Sequence, residues 1–376
     1  MDPVKAAHFR RDFGTAQQSV QAGVSTGRAT SIETKWEVWV AFTVDLGLDP
    51  LLEAVEDKVH ILQVFAERIR SGQLSTSGRH LKSRSVEDYL RAVGQTHELL
   101  GLKDPRKVCS GDAIDFRIRR MLRSYAKKDP PPNRVKPIPV QVLHRIASIA
   151  READELTKGI ADMIILAFFF LLRPGEYTDS QSDTTPFKLQ DVQVFIGRQR
   201  LDLSTCTDAE LASATFISLT FTDQKNGVRG EVIGLSTSGN PFVCPVRAVC
   251  RRIQHLRTHG APLTAPLANV FVTGAWAKIT PSHITTTLRT AVSFLGPELG
   301  FLPSDVSARC LRAAGATALL NAKVDGDIIK LLGRWHSDAM LRYLHLQAAP
   351  IMKDYARLML TGGSFTLIPN QLVPSY

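Results

Sequence analysis

Apolar positions recur at helical spacing through the first third of the chain. Ile32, Trp36, Trp39 and Val40 follow Thr30-x-x-Glu33, a spacing that predicts a capping box opening a helix. Val55, Val59, Leu62, Ala66 and Ile69 predict a second helix. Residues 71–84 are polar and rich in Ser and Gly, which predicts a loop. Ser85 then predicts the cap of a helix carrying Val86, Leu90 and Val93 and ending near Gly101. Ile114, Ile118, Met121, Leu122 and Tyr125 share the apolar face of another. Residues 30–126 therefore predict a bundle of four or five helices. Residues 1–29 show no clear period and predict a loose N-terminal arm.

Beyond residue 138 the pattern is mixed. Helices are predicted over 139–151 and 155–172. Alternation then takes over: Ile217, Leu219 and Phe221 share one strand face. Asp223-Gln224-Lys225-Asn226-Gly227 follows, and then Val228 to Leu235. Asn-Gly between two such runs predicts a hairpin with Lys225 beside its tip. Pro245 opens a helix with Val246, Val249, Ile253 and Leu256, and further helices are predicted near 281–295, 306–322, 326–333 and 337–358. Residues 361–376 predict a tail. No internal repeat or low-complexity stretch is present. The fold class is mainly α with a small β-sheet, α+β.

Composition narrows the picture. With 44% hydrophobic and 22% charged residues the chain has the make-up of ordinary folded domains. The longest apolar run, near Met163 to Leu172, is too short to span a membrane. The opening residues form no basic-then-apolar leader, so an intracellular protein is expected. Five widely spaced cysteines without a CxxC pair argue against a disulfide framework or a zinc knuckle.

The net charge is +10, and it is concentrated. Residues 106–136 hold ten Lys/Arg against three acids, 10 − 3 = +7. These charges run along the helix bearing Arg117, Arg120 and Arg123. They continue into Lys127, Lys128, Arg134 and Lys136, where five prolines fall within residues 130–139. Such a stretch cannot be helix interior or central strand, so 127–138 predicts a semi-rigid basic linker between two domains. A solvated helix face is the plain explanation of the charge. Its density between two domains points instead to phosphate contacts with double-stranded DNA.

Four features of the second domain, 139–360, remain. They are Leu172-Arg173-Pro174-Gly175-Glu176 at the end of an apolar helix, Lys225 at the hairpin, Arg309-x-x-Arg312 near a helix start, and Gly333-Arg334-Trp335-His336-Ser337 followed by Arg342-Tyr343-Leu344-His345. Each is ordinary when taken singly. An Arg-Pro-Gly ends helices, a hairpin Lys is solvated, a helical Arg is a surface charge, and Trp335 or Tyr343 suits a core. His283 and His345 suit a cap and a helix face.

Together and in this order, they resemble the tyrosine recombinase (phage integrase) family, over most of the chain to about residue 358. The Gly-Arg-Trp and Arg-Tyr-Leu-His runs are most similar to recombinases of eukaryotic mobile elements such as Cryptons and DIRS-like elements. The resemblance implies a helical, SAM-like core-binding domain over 30–126, followed by the catalytic domain. It places Arg173 and Arg312 as the two arginines on the phosphate, Lys225 as the hairpin lysine, Trp335 at the His/Trp position and Tyr343 as nucleophile. It implies no cofactor and no metal, and a homotetramer on DNA. The compartment would be the nucleus in a eukaryote and otherwise the cytoplasm or nucleoid.

The chemistry explains the residue types. Planar guanidiniums hold phosphate oxygens bidentately and stabilise the charge that grows in the transition state; lysine is only a point charge. A lysine can protonate the leaving 5′ oxygen. An indole N–H can donate to phosphate. A tyrosine, with an ordinary pKa near 10, needs surrounding cations to attack.

Two departures matter. Arg309 stands where the family has His, and an arginine cannot serve as a general base. It is expected to add a phosphate contact, with His336 taking over proton transfer. Trp335 to Tyr343 is eight residues where many members have nine, which predicts a shorter turn before the last helix; Tyr355 is the fallback nucleophile. The competing readings are a DNA-binding protein derived from a recombinase, which Arg309 favours, and a type IB topoisomerase, against which the helical first domain speaks.

Overall fold

The computed structural model describes residues 2–75, 78–108, 111–131, 136–180, 184–222, 229–335, 337 and 340–341. The chain divides into two compact units, Met1–Asn133 and Arg134–Tyr376. The fold class expected from sequence holds: helices dominate both units, and one small antiparallel sheet with a separate hairpin completes the second.

The first unit holds α1 (Pro3–Ala22), α2 (Thr26–Asp45), α3 (Lys58–Ser71), α4 (Ser83–Leu99) and α5 (Phe116–Lys128). Its core is built by Trp39, Phe42, Leu62, Phe65, Leu90 and Ile118, all nearly inaccessible to solvent. Trp39 packs edge-on to Phe65 with centroids 5.0 Å apart, and its indole donates to Pro50 O at 2.9 Å. Asp57 caps α3 by accepting from Val59 N, and Asp115 caps α5 by accepting from Arg117 N.

A buried arginine ties three of these helices together. Arg70, near the end of α3, donates to Asp129 Oδ1, to Leu81 O at 2.6 Å and to Tyr125 O at 3.4 Å. Asp129 also accepts from Ser83 N at 2.8 Å, at the start of α4.

Four boundaries differ from expectation. Residues 3–22 are helical, not a loose arm; α1 is exposed along nearly all its length, so no buried face imposes a period on its sequence. Thr30 lies inside α2, whose N-cap is Ser25, because residues 26–29 already continue the helix; the capping box is not formed there. α4 begins at Ser83, two residues before the expected Ser85 cap, where the bonds to Asp129 and to Leu122 O (2.9 Å) fix the chain. Lys127 and Lys128 belong to the last turn of α5 and not to the linker.

The second unit is organised around an apolar helix. α6 (Val140–Ala150) leads to α7 (Glu155–Phe169), whose residues 159–168 are buried on every face. α7 packs against α6 and also against α10 (Pro245–Thr258), α11 (Pro281–Leu299) and α12 (Cys310–Asn321). A one-turn helix, α8 (Pro174–Tyr177), follows α7. Strands β1 (Val192–Ile196), β2 (Gln199–Arg200), β3 (Phe216–Phe221) and β4 (Glu231–Ser236) form the sheet in the order β2-β1-β3-β4. α9 (Asp208–Ser213) joins β2 to β3, and β5 (Asn269–Val272) pairs with β6 (Ala275–Lys278). α13 (Gly326–Gly333) follows α12.

The predicted face of β3 is confirmed: Ile217, Leu219 and Phe221 are buried, and Phe221 pairs with Glu231. β4 starts at Glu231, and the expected hairpin tip, residues 223–228, lies outside the described residues. α12 begins at Cys310 rather than near 306, because Val306 and Ala308 reach the core from non-helical backbone. α7 stops at Phe169 rather than Leu172, because Leu171 is left-handed, with φ 52°. Most of the predicted helix 337–358 and the tail 361–376 lie outside the described residues.

Candidate active site

The turn after α7 sets the geometry. Pro174 starts α8 with its fixed φ, which leaves Arg173 as the capping residue. Glu176, 2% exposed, reaches back: Oε2 accepts from Arg173 N at 2.7 Å and Oε1 from Arg173 Nη1 at 2.9 Å. One buried carboxylate thus fixes both the backbone and the guanidinium of Arg173, whose side chain keeps 25% exposure. Tyr177 is fully buried and donates to Ala308 O at 3.0 Å, joining α8 to the segment before α12; burial pushes its phenol well above the ordinary value.

α12 supplies the second arginine. Gly315 lets this helix approach the end of α7 closely: a methyl group there would overlap Phe168 O and Leu171 Cδ2. Arg312, 2% exposed, then lies beneath Leu171 and donates from Nη1 to its carbonyl at 2.6 Å. Its Nη2 donates to Gly333 O at the end of α13. Trp335 covers it, with the guanidinium 4.3 Å from a ring centroid. Gly333 is required for that stack, because a methyl group at this position would overlap the Trp335 ring.

Between Gly333 and Trp335, Arg334 turns inward. Its backbone is left-handed, φ 55°, and caps α13. Nη2 donates to Glu176 Oε2 at 3.1 Å and Leu171 O at 3.2 Å, and Nη1 to Phe170 O and Leu332 O, each at 3.2 Å. The guanidinium lies 3.8 Å from the Phe221 ring centroid, at the end of β3. Burial pulls its pKa down to about 10, against the opposing pull of Glu176.

Of the expected catalytic residues, Arg173 and Arg312 are therefore joined through Glu176, Arg334 and Leu171 O, and Trp335 covers Arg312. The expected pair of arginines is asymmetric: Arg173 is partly open, whereas Arg312 gives bonds from both terminal nitrogens to main-chain carbonyls. Arg309 is exposed at the N-cap of α12, and no side-chain partner holds its guanidinium among the described residues. Lys225, His336 and Tyr343 lie outside the described residues. Sequence reading left Glu176, Leu171 and Arg334 without roles. The first and last stood in quoted motifs, but their burial comes from contacts some 160 residues apart.

The basic helix α5 also divides into two kinds of cation. Arg117 is engaged: Nη1 and Nη2 donate to Asp57 at 2.6 and 3.1 Å, and Nε and Nη2 to Asp115 at 3.1 and 3.2 Å. Those carboxylates push its already high pKa further up. Arg120, Arg123 and Lys127 are exposed at i, i+3 and i+7, on the face opposite Ile118 and Tyr125. Lys128 and Arg119 are exposed beside this stripe; Arg119 was not among the expected contacts. Phe116, 58% exposed, lies on it under the guanidinium of Arg120, 5.8 Å away. Lys136 is ion-paired with Asp305 at 2.8 Å, which holds that carboxyl below its ordinary value. Arg134 lies outside the described residues. Among the described residues no group of three or more His, Cys, Asp or Glu could hold a metal ion, and no helix is long and apolar enough to cross a membrane.

No family model matches the sequence, and neither does any curated protein. Solved structures similar to the chain include the XerA recombinase (14% identity, 93% of this chain and 98% of that one, TM-score 0.38). Another is the Tn1549 transposon integrase in complex with circular intermediate DNA (14%, 86% and 99%, TM-score 0.46). A third is the XerH site-specific recombinase bound to palindromic difH substrate (12%, 83% and 73%, TM-score 0.48).

Proposed function

We propose that this chain is a site-specific DNA recombinase that breaks and rejoins strands through a 3′-phosphotyrosine. One observation carries the reading: Arg173 and Arg312, from separate stretches of sequence, are joined through Glu176, Arg334 and the Leu171 carbonyl, and Trp335 covers Arg312. In the proposed reaction the Tyr343 oxygen forms a bond to phosphorus and the bond to the 5′ oxygen breaks. Arg173 and Arg312 stabilise the charge that grows on the phosphate. The phenol proton passes to His336, and Lys225 protonates the leaving 5′ oxygen. The 5′ hydroxyl of a second strand reverses the steps, so the ester's bond energy is kept. The substrate is double-stranded DNA, tracked by the exposed stripe of α5, and the assembly on paired sites is a homotetramer.

A second reading, DNA binding without cleavage, is favoured by two observations: the burial of Arg312 among carbonyls, and an arginine at position 309. Covalent trapping separates the two. Protein is mixed with labelled, nicked suicide DNA from the regions flanking its own gene, in the presence of a chelator, and resolved on a denaturing gel. An adduct with wild type and none with Tyr343→Phe supports the recombinase. Salt-dependent binding without an adduct on two unrelated DNA panels supports the binding protein.

A further inference from the structure

We infer that Arg334 is a positioning residue that holds the Arg173, Arg312 and β3 ends of the site in register from beneath. The inference rests on the recombinase reading and adds a residue to which that reading gives no role.

Three contacts carry it. Glu176 Oε2 accepts from both Arg334 Nη2 and Arg173 N, so the carboxylate that fixes Arg173 is itself held by Arg334. Leu171 O accepts from Arg334 Nη2 and Arg312 Nη1, so one carbonyl sets both guanidiniums. Phe221, under the Arg334 guanidinium, is the last residue of β3, four positions before Lys225. Glu176 and Leu171, which Arg334 links, support the two arginines of the proposed chemistry.

The identity of the side chain matters. Glu176 and the carbonyls of Phe170, Leu171 and Leu332 surround the fork, and four acceptors on a planar frame suit a guanidinium. Lysine offers its donors from a single atom and cannot span the three carbonyls and the carboxylate together. It would keep the charge and lose the register. Arg334 acts through Glu176 and Leu171 O, to both of which its Nη2 donates.

The test compares two suicide substrates, an ordinary phosphodiester and one with a neutral methylphosphonate at the scissile position. Arginines set against phosphate charge matter less when that charge is removed. Arg334→Lys and Arg173→Ala are both expected to slow adduct formation on the phosphodiester, by about a hundredfold where a guanidinium is misplaced by an ångström. Both should lose far less on the methylphosphonate. Ile253→Ala, a core truncation on α10, should lose the same factor on both substrates. Arg334→Lys reacting at the wild-type rate, or losing equally on both, overturns the inference while the recombinase reading stands. Absence of a wild-type adduct on either DNA overturns that reading and the inference with it. If Arg334→Lys shows no cooperative unfolding transition, Glu176→Gln enters the same comparison from the other side of the shared bond, with the same two outcomes.

Discussion

Leu171 and Arg334 are both left-handed, at φ 52° and 55°, and Arg334 Nη2 donates to Leu171 O at 3.2 Å. Neither is glycine, so each pays a conformational penalty that the surrounding bonds must outweigh. At Leu171 the left-handed turn ends α7 and coincides with a carbonyl that two buried arginines share. The side chain meanwhile fills a small apolar cluster with Ala316, Ile329 and Met340.

Leu171→Gly separates those two roles. Glycine relieves about 1 kcal/mol of left-handed strain. Losing a fully buried leucine costs about 2–5 kcal/mol. Packing therefore wins, and the variant is expected to be less stable by about 1–4 kcal/mol. Urea denaturation checks this; a more stable variant would mean that strain dominates the turn.

Gly333→Ala addresses the opposite face of the cluster. The added methyl overlaps the Trp335 ring, so the indole must leave the Arg312 guanidinium or α13 must shift. Overpacking of this kind costs about 1–3 kcal/mol. The expected result is a lower melting temperature together with an altered near-ultraviolet dichroism from the displaced indole. Wild-type values for both would show that the stack tolerates a wider gap.

The first unit should weaken in acid through Asp129. Burial alone would raise its carboxyl; the bonds from Arg70 and from Ser83 N outweigh that and hold it below the ordinary value. A carboxyl lowered by folding contributes stability above its unfolded pKa and loses it as the pH falls through the folded one. Asp57 and Asp115, also held low by Arg117, add to the same slope. Denaturant titrations from neutral to acid pH, read by Trp36 and Trp39, should show stability falling with pH. Asp129→Asn should start lower and fall less steeply; an unchanged slope would remove Asp129 as a cause.

What the sequence made legible follows from burial. α7 and β3 bury whole faces, and their apolar spacing announced them. α1 buries almost nothing, so its helix left no period to read. The hairpins β1–β2 and β5–β6 are too short to alternate more than once or twice, and they were missed. The arginines Arg173 and Arg312 could be picked out by their neighbours in sequence. The inward turn of Arg334 could not, because a charged residue after glycine at a helix end reads as solvated until the Glu176 contact is seen. Arg117 failed for the same reason in reverse: Asp57, 60 residues away, is the partner that takes it from the exposed stripe.

That division among the cations of α5 gives a prediction with opposite signs for neighbouring residues. Arg120, Arg123 and Lys127 stand exposed on one stripe, whereas the Arg117 fork is held by Asp57 and Asp115. If the stripe tracks phosphates, each alanine substitution on it should weaken DNA binding regardless of sequence. Each should also reduce the slope of log K against log salt by about 0.9, the counterion release of one phosphate contact. Stability should be unchanged, since these side chains pack against no core. Arg117→Ala should instead lower the denaturation midpoint of the first unit and leave the salt slope near the wild-type value. Fluorescence anisotropy at several salt concentrations, paired with urea titrations, reads both quantities. A reduced slope in Arg117→Ala with unaltered stability would show that the Asp57 and Asp115 pairs open on DNA, and that the arginine expected from sequence to contact phosphate does so after all.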